Sequence, residues 1–144
     1  MENFPHRYQI EASADEAGSV TLSSHGLPSL ITAPPTQFGG PGDQWSPETL
    51  LVAAVADCFL LSFRAIARAS KFRWKHLRCG TEGVLDRVDG ATRFTELLIR
   101  AHLELPKGGD SNKGRRLLEK AEQSCLITNS LIAKSKLESQ IDVE

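Results

Sequence analysis

Cysteine is scarce in this sequence. Three residues, Cys58, Cys79 and Cys125, are scattered over 144 positions, too few and too far apart for a disulfide scaffold. An excess of one charge is missing as well: 17 basic side chains stand against 18 acidic ones, a formal net charge of -1. That balance excludes the basic face a general grip on nucleic acid requires. Long hydrophobic runs are also absent. The longest unbroken one, Leu50 to Ala56, stops at Asp57, far short of the ~20 residues that cross a bilayer, so no membrane span is expected. The opening Met1-Glu2-Asn3-Phe4-Pro5-His6-Arg7 carries no basic segment followed by an apolar stretch, so no secretory leader is visible and a cytoplasmic protein is expected. In a reducing compartment three thiols are inert core residues, metal ligands or redox groups.

What the sequence does have is the material of one domain. Apolar residues are 40% and charged residues 24% of the chain, which disfavours disorder. A chain of this length buries about 70% of the surface its unfolded form exposes. Residues 1–144 are therefore expected to form a single domain.

Two segments near the start alternate, Tyr8, Ile10 and Ala12 and then Val20 and Leu22 against polar neighbours, with a turn at Asp15 to Gly18; this pattern predicts a β-hairpin. Leu27 to Thr32 adds a short third strand, and the glycines and proline of Gln37 to Trp45 predict a loop. At Ser46-Pro47-Glu48 the period changes. A serine hydroxyl to accept an orphan amide, a proline at the first helical position and a carboxylate at the positive dipole end predict a helix start. That helix extends to about Ser70 and is apolar on almost all sides, so it is expected to lie centrally in the core. Leu77 to Val88 and Leu97 to Leu105 alternate around Asp89-Gly90, a strong hairpin signal. A second helix follows, with Leu117, Leu118, Ala121 and Cys125 on one stripe, and a last strand carries Leu137, Ile141 and Val143. The order βββ-α-ββ-α-β predicts an α+β fold with mainly antiparallel strands.

Few residues are candidates for chemistry. His76-x-x-Cys79 is the only tight His/Cys pair, and residues three apart on a strand point to opposite faces, so no metal site is expected. His6, His25 and His102 have no motif around them. The nucleophile elbow, the phosphate-cradling loop and the dinucleotide fingerprint are absent, since Gly39-Gly40-Pro41-Gly42 lacks the required spacing. Cys58 and Cys125 both fall on apolar helix faces. Each is either a small hydrophobe packed in the core or one of two thiols aimed at the same place, where a disulfide forms if their Cα atoms come within ~7 Å. Cys79 reads as structural.

Read together, several of these residues resemble one family. Gly39-Gly40-Pro41-Gly42, the helix opening Ser46-Pro47-Glu48-Thr49-Leu50-Leu51, Ala53-Ala54, Asp57-Cys58-Phe59, and Cys125 in Ser124-Cys125-Leu126-Ile127-Thr128-Asn129-Ser130-Leu131 are similar to the OsmC/Ohr family, that of osmotically inducible protein and organic hydroperoxide resistance protein. The resemblance covers nearly the whole chain in element order. It implies an OsmC-like fold, with antiparallel sheets on a long central helix, in an intertwined homodimer that reduces organic hydroperoxides or hydrogen peroxide. By motif, Cys58 matches the peroxide-attacking thiol, Cys125 the resolving thiol and Glu48 the carboxylate of the site, with no cofactor and no metal. A dithiol protein of the lipoyl or thioredoxin-like kind would reset the disulfide. Ten positions along one helix put ~15 Å of rise between Glu48 and Cys58, so a shared site would take Glu48 from the partner subunit. The resemblance departs from the family at its activating arginine: this chain has Asp15-Glu16-Ala17 at one of the family's two places for it and Gln37-Phe38 at the other. It also has Leu126 where the family often has proline. A non-catalytic redox-sensing or small-molecule-binding domain is the alternative expectation.

Overall fold

The first helix, α1 (Pro47–Ala69), starts where the sequence places it, and its cap is reciprocal. The Ser46 hydroxyl accepts from the Thr49 amide at 3.1 Å while the Thr49 hydroxyl accepts from the Ser46 amide at 2.9 Å, which satisfies orphan donors at both positions. A computed structural model describes all residues, 1–144, and divides the chain into two compact units, Met1–Leu50 and Leu51–Glu144.

In the first unit, β1 (Glu11–Ala14), β2 (Val20–Ser23) and β3 (Leu30–Thr32) form an antiparallel sheet in that order. Ala12 lies opposite Leu22, and Val20 opposite Thr32. The first strand is shorter than its alternation predicts: Tyr8 and Ile10 stay exposed before it. The glycine-rich loop beyond β3 is fixed by crowding. A Cβ on Gly40 would lie 1.6 Å from the Pro34 carbonyl oxygen, so no other residue fits there. The loop ends where the Ala33 amide donates to the Trp45 carbonyl at 2.9 Å.

In the second unit, β4 (His76–Val88) and β5 (Ala91–Leu105) make the expected hairpin. Both turn residues, Asp89 at φ 52° and Gly90 at φ 79°, take the left-handed conformation a tight two-residue hairpin demands. The last strand, β6 (Lys134–Val143), pairs with β5 in parallel, giving the order β4-β5-β6. Parallel pairing corrects the mainly antiparallel expectation at this one strand. It follows from connectivity, because α2 (Ser111–Ser124) and the short α3 (Leu126–Asn129) carry the chain back to the start of the sheet before β6 begins. The core gathers Val55, Phe59, Phe63 and Ala67 from α1, Leu97 to Leu105 at alternate positions of β5, and Leu117, Leu118 and Ala121 from α2.

Helix α1 departs from expectation in one respect. As a whole it is long and apolar enough to cross a membrane; Asp57 interrupts the unbroken run without changing that average. Within the chain only the stripe Val55, Phe59, Phe63 and Ala67 is buried, and this stripe belongs to the protein core. The other apolar positions are half-covered or open, Leu61 at 51% exposure. Residues Leu51–Glu144 therefore do not enclose the helix by themselves.

Candidate active site

Cys58 sits midway along α1, half-buried, and Ser62 lies one turn further on the same face with its hydroxyl 3.9 Å from the Cys58 sulfur. The second thiol is held differently from its predicted place. Cys125 is fully buried but outside α2: at φ -65° and ψ 108° it is extended, closing α2 and opening α3. The predicted apolar stripe is right in register, since Leu117, Leu118, Ala121 and Cys125 are all buried. It is the break in the backbone that periodicity does not reveal.

The break has a chemical consequence. The first amides of α3 have no acceptor within their own helix. The Ile127 and Leu126 backbone at this bend, the Cys125 thiol and the Ser62 hydroxyl are the groups that favour the Cys58 thiolate. Burial pushes the Cys58 thiol up, but these four groups together more than offset it and hold its pKa below the usual thiol value. Cys125 moves the opposite way. Burial is the main cause and the neighbouring Cys58 adds to it, outweighing the Thr128 hydroxyl, which donates to the Cys125 sulfur at 3.2 Å, and the Thr128 amide. One thiol is thus biased toward the anion and its neighbour toward the protonated form. That pairing suits a nucleophile beside a proton-bearing partner.

The sequence reading missed the supporting groups of this arrangement. Ser62 was detectable, four residues past Cys58 on the same helix face. Thr128, three residues past Cys125, and the Leu126 and Ile127 backbone were not, because they act only through the bend at Cys125. No arginine or lysine side chain is among the groups that hold Cys58 down; Arg64 and Arg68 are exposed on α1 and Arg7 is exposed before β1.

Cys79, on β4, is half-buried against the core with its sulfur 3.6 Å from the Thr81 hydroxyl. Burial pushes its pKa up, and negative charge on Cys125 would push it further. His76, three residues earlier, is exposed, and no group of three His, Cys, Asp or Glu side chains converges in the way a metal ion needs. His102, for which the sequence offered no partner, donates from Nε2 to the Asp142 carboxylate at 2.6 Å across β5 and β6.

Glu48 lies in the first turn of α1. Its Oε1 is shielded from solvent and has no hydrogen-bond partner within the chain. A buried acceptor left unpaired costs about 1–3 kcal/mol.

Comparison with known proteins places these elements in a wider group. A family model described as OsmC-like protein matches residues 40–140. An OsmC-like protein of unknown function from Vibrio cholerae superposes with a TM-score of 0.86 at 16% identity, over 94% of this chain and 100% of that one. A Legionella pneumophila structure described as an organic hydroperoxide resistance protein gives 0.76 at 23% identity, over 97% and 99%. Among curated proteins, the uncharacterized protein YmaD of Bacillus subtilis is 24% identical over 127 residues, covering 86% of this chain and 84% of that protein. At these identities the structural likenesses speak for the fold.

Proposed function

The chain belongs to the family of OsmC-like proteins, and we propose that it is a cysteine peroxidase that reduces organic hydroperoxides, and hydrogen peroxide in the same way. The observation that carries this reading is the opposed bias of two adjacent thiols, Cys58 down and Cys125 up. It is supported by the Legionella pneumophila structure described as an organic hydroperoxide resistance protein.

In the proposed cycle the Cys58 thiolate attacks the terminal oxygen of the hydroperoxide. The O–O bond breaks, the alkoxide takes a proton and leaves as alcohol, and Cys58 becomes a sulfenic acid. Cys125 then attacks the Cys58 sulfur, forming a disulfide and releasing water. A dithiol protein, lipoyl or thioredoxin-like, reduces the disulfide by two exchange steps and is itself oxidised. In this reading the Ile127 and Leu126 backbone beside Cys58 favours the thiolate, the role that the resemblance assigns to an arginine. Apolar side chains beside Cys58, with Leu61 and Leu126 exposed at 51% and 67%, favour an alkyl chain on the substrate.

The working unit in this reading is a homodimer. Its support is the open apolar surface of α1, which a second copy would cover, and the orphaned Oε1 of Glu48. Being ten positions from Cys58 on one helix, Glu48 would complete the partner subunit's site rather than its own. This reading assigns the protein to the cytoplasm, where unpaired thiols persist and dithiol reductants are present. Neither nucleic acid nor membrane enters the proposal.

Steady-state consumption of cumene hydroperoxide with a dithiol tests it. Wild-type protein should turn over and Cys58→Ser should abolish turnover, whereas Cys125→Ser should complete one oxidation and stall. Turnover unchanged in Cys58→Ser would exclude the mechanism. Slow disulfide formation without turnover would favour a redox sensor.

A further inference from the structure

Four basic side chains at one end of the second unit share a recess and have no acidic partner. The segment after α1 (residues 71–73), the loop from β5 into α2 (residues 106–110) and the first turn of α2 border an open recess of about 780 Å³. Lys71, Arg73, Lys107 and Lys113 line it. None of them takes part in an ion pair; the chain's three pairs are Lys75–Glu144, Arg100–Glu138 and His102–Asp142.

Two carboxylates also border the recess, and each is already engaged. Asp110 accepts from the Lys113 amide at 3.0 Å, capping α2, and Glu144 pairs with Lys75 at 2.8 Å. The floor is apolar: Phe72 lies there with the Lys113 ammonium 6.0 Å above its ring. Lys71 holds φ 55°, the left-handed position past a helix end where glycine is ordinarily preferred, and still presents a long cationic side chain. Four like charges held together repel one another, and in a chain of net charge -1 the concentration is local.

We propose that this recess binds a small polyanion carrying at least two phosphate groups. A single carboxylate neutralises one cation of four, whereas two phosphates bring three to four negative charges and match the set. The guanidinium of Arg73 forks onto phosphate oxygens, and the three lysines act as point charges around it. The volume suits a ligand of nucleotide size, with Phe72 as its apolar contact. The site is separate from the thiols: α1 ends at Ala69, eleven positions and ~16 Å past Cys58. It stands whether or not the protein is a peroxidase.

Calorimetric titration of the full-length protein with inorganic pyrophosphate tests this. Saturable binding of one pyrophosphate per chain is expected, at least ~10-fold tighter than malonate at equal ionic strength and weakened by added salt. The double variant Arg73→Gln/Lys107→Gln should lose at least ~10-fold in affinity, with an unchanged circular dichroism spectrum. Arg87→Gln, on the distant end of β4, should bind as the wild type does. Pyrophosphate binding no tighter than malonate, or equal affinity in the double variant, would overturn the proposal.

Discussion

Leu126 stands where the resemblance to the OsmC/Ohr family leads one to expect proline. A proline there would carry no amide hydrogen, and in this chain the Leu126 backbone is among the groups that lower the Cys58 pKa. Leu126→Pro should therefore raise the Cys58 pKa toward the ordinary thiol range. The sign follows from those groups: they favour the anion, so removing one leaves less thiolate at neutral pH. The rate of iodoacetamide alkylation of Cys58 against pH reads this directly. In wild type the midpoint should fall below the usual thiol value, and in the variant it should move upward with a matching loss of rate at pH 7. Thr128→Val removes the hydroxyl that donates to Cys125. In the proposed cycle that bond would stabilise the Cys125 thiolate as it leaves when a reductant opens the disulfide at Cys58. Re-reduction by a dithiol should slow several-fold, in keeping with the ~1 kcal/mol a single hydrogen bond contributes. In the sequence, Cys58 and Cys125 are two inward-facing thiols, core residues or a pair, and only the resemblance to a family favours the pair. Their opposed pKa shifts were not legible, because those depend on backbone amides, which every residue except proline has.

At the scale of elements, the strongest sequence signals were those with a local mechanism. The α1 start at Ser46-Pro47 and the Asp89-Gly90 turn are written in side chains that satisfy orphan amides or accept positive φ, so three or four residues suffice to read them. Ser46→Ala should cost about 0.5–2 kcal/mol in chemical denaturation, since the serine hydroxyl is buried and holds the Thr49 amide. Phe63→Ala, which empties a fully buried position packed edge-on against Trp74, should cost about 3–5 kcal/mol by the same measurement. Two features were beyond local reading. The parallel pairing of β6 is decided by where two intervening helices deliver the chain, and the end of α2 one residue before Cys125 by a backbone turn that its apolar stripe runs straight through.

For the whole molecule, the main consequence of the structure is that an almost wholly apolar helix of 23 residues is buried along one stripe only. Hydrophobicity alone does not say whether its remaining faces are covered by the same chain, by a second copy or by lipid. The reading given above takes the second copy, so purified protein should sediment at twice the 15.8 kDa of one chain. Leu61→Glu, which places a charge on an open position of α1, should shift it toward the monomer and lower peroxide turnover in parallel. The account rests most heavily on the two sulfurs forming one redox pair. Its most direct test is to treat fully reduced protein with one equivalent of cumene hydroperoxide, block the remaining thiols and map the peptides by mass spectrometry. A Cys58 to Cys125 disulfide with Cys79 blocked as a free thiol is the predicted result. Cys58 and Cys125 both recovered as free thiols, or a disulfide that includes Cys79 in place of either, would contradict it.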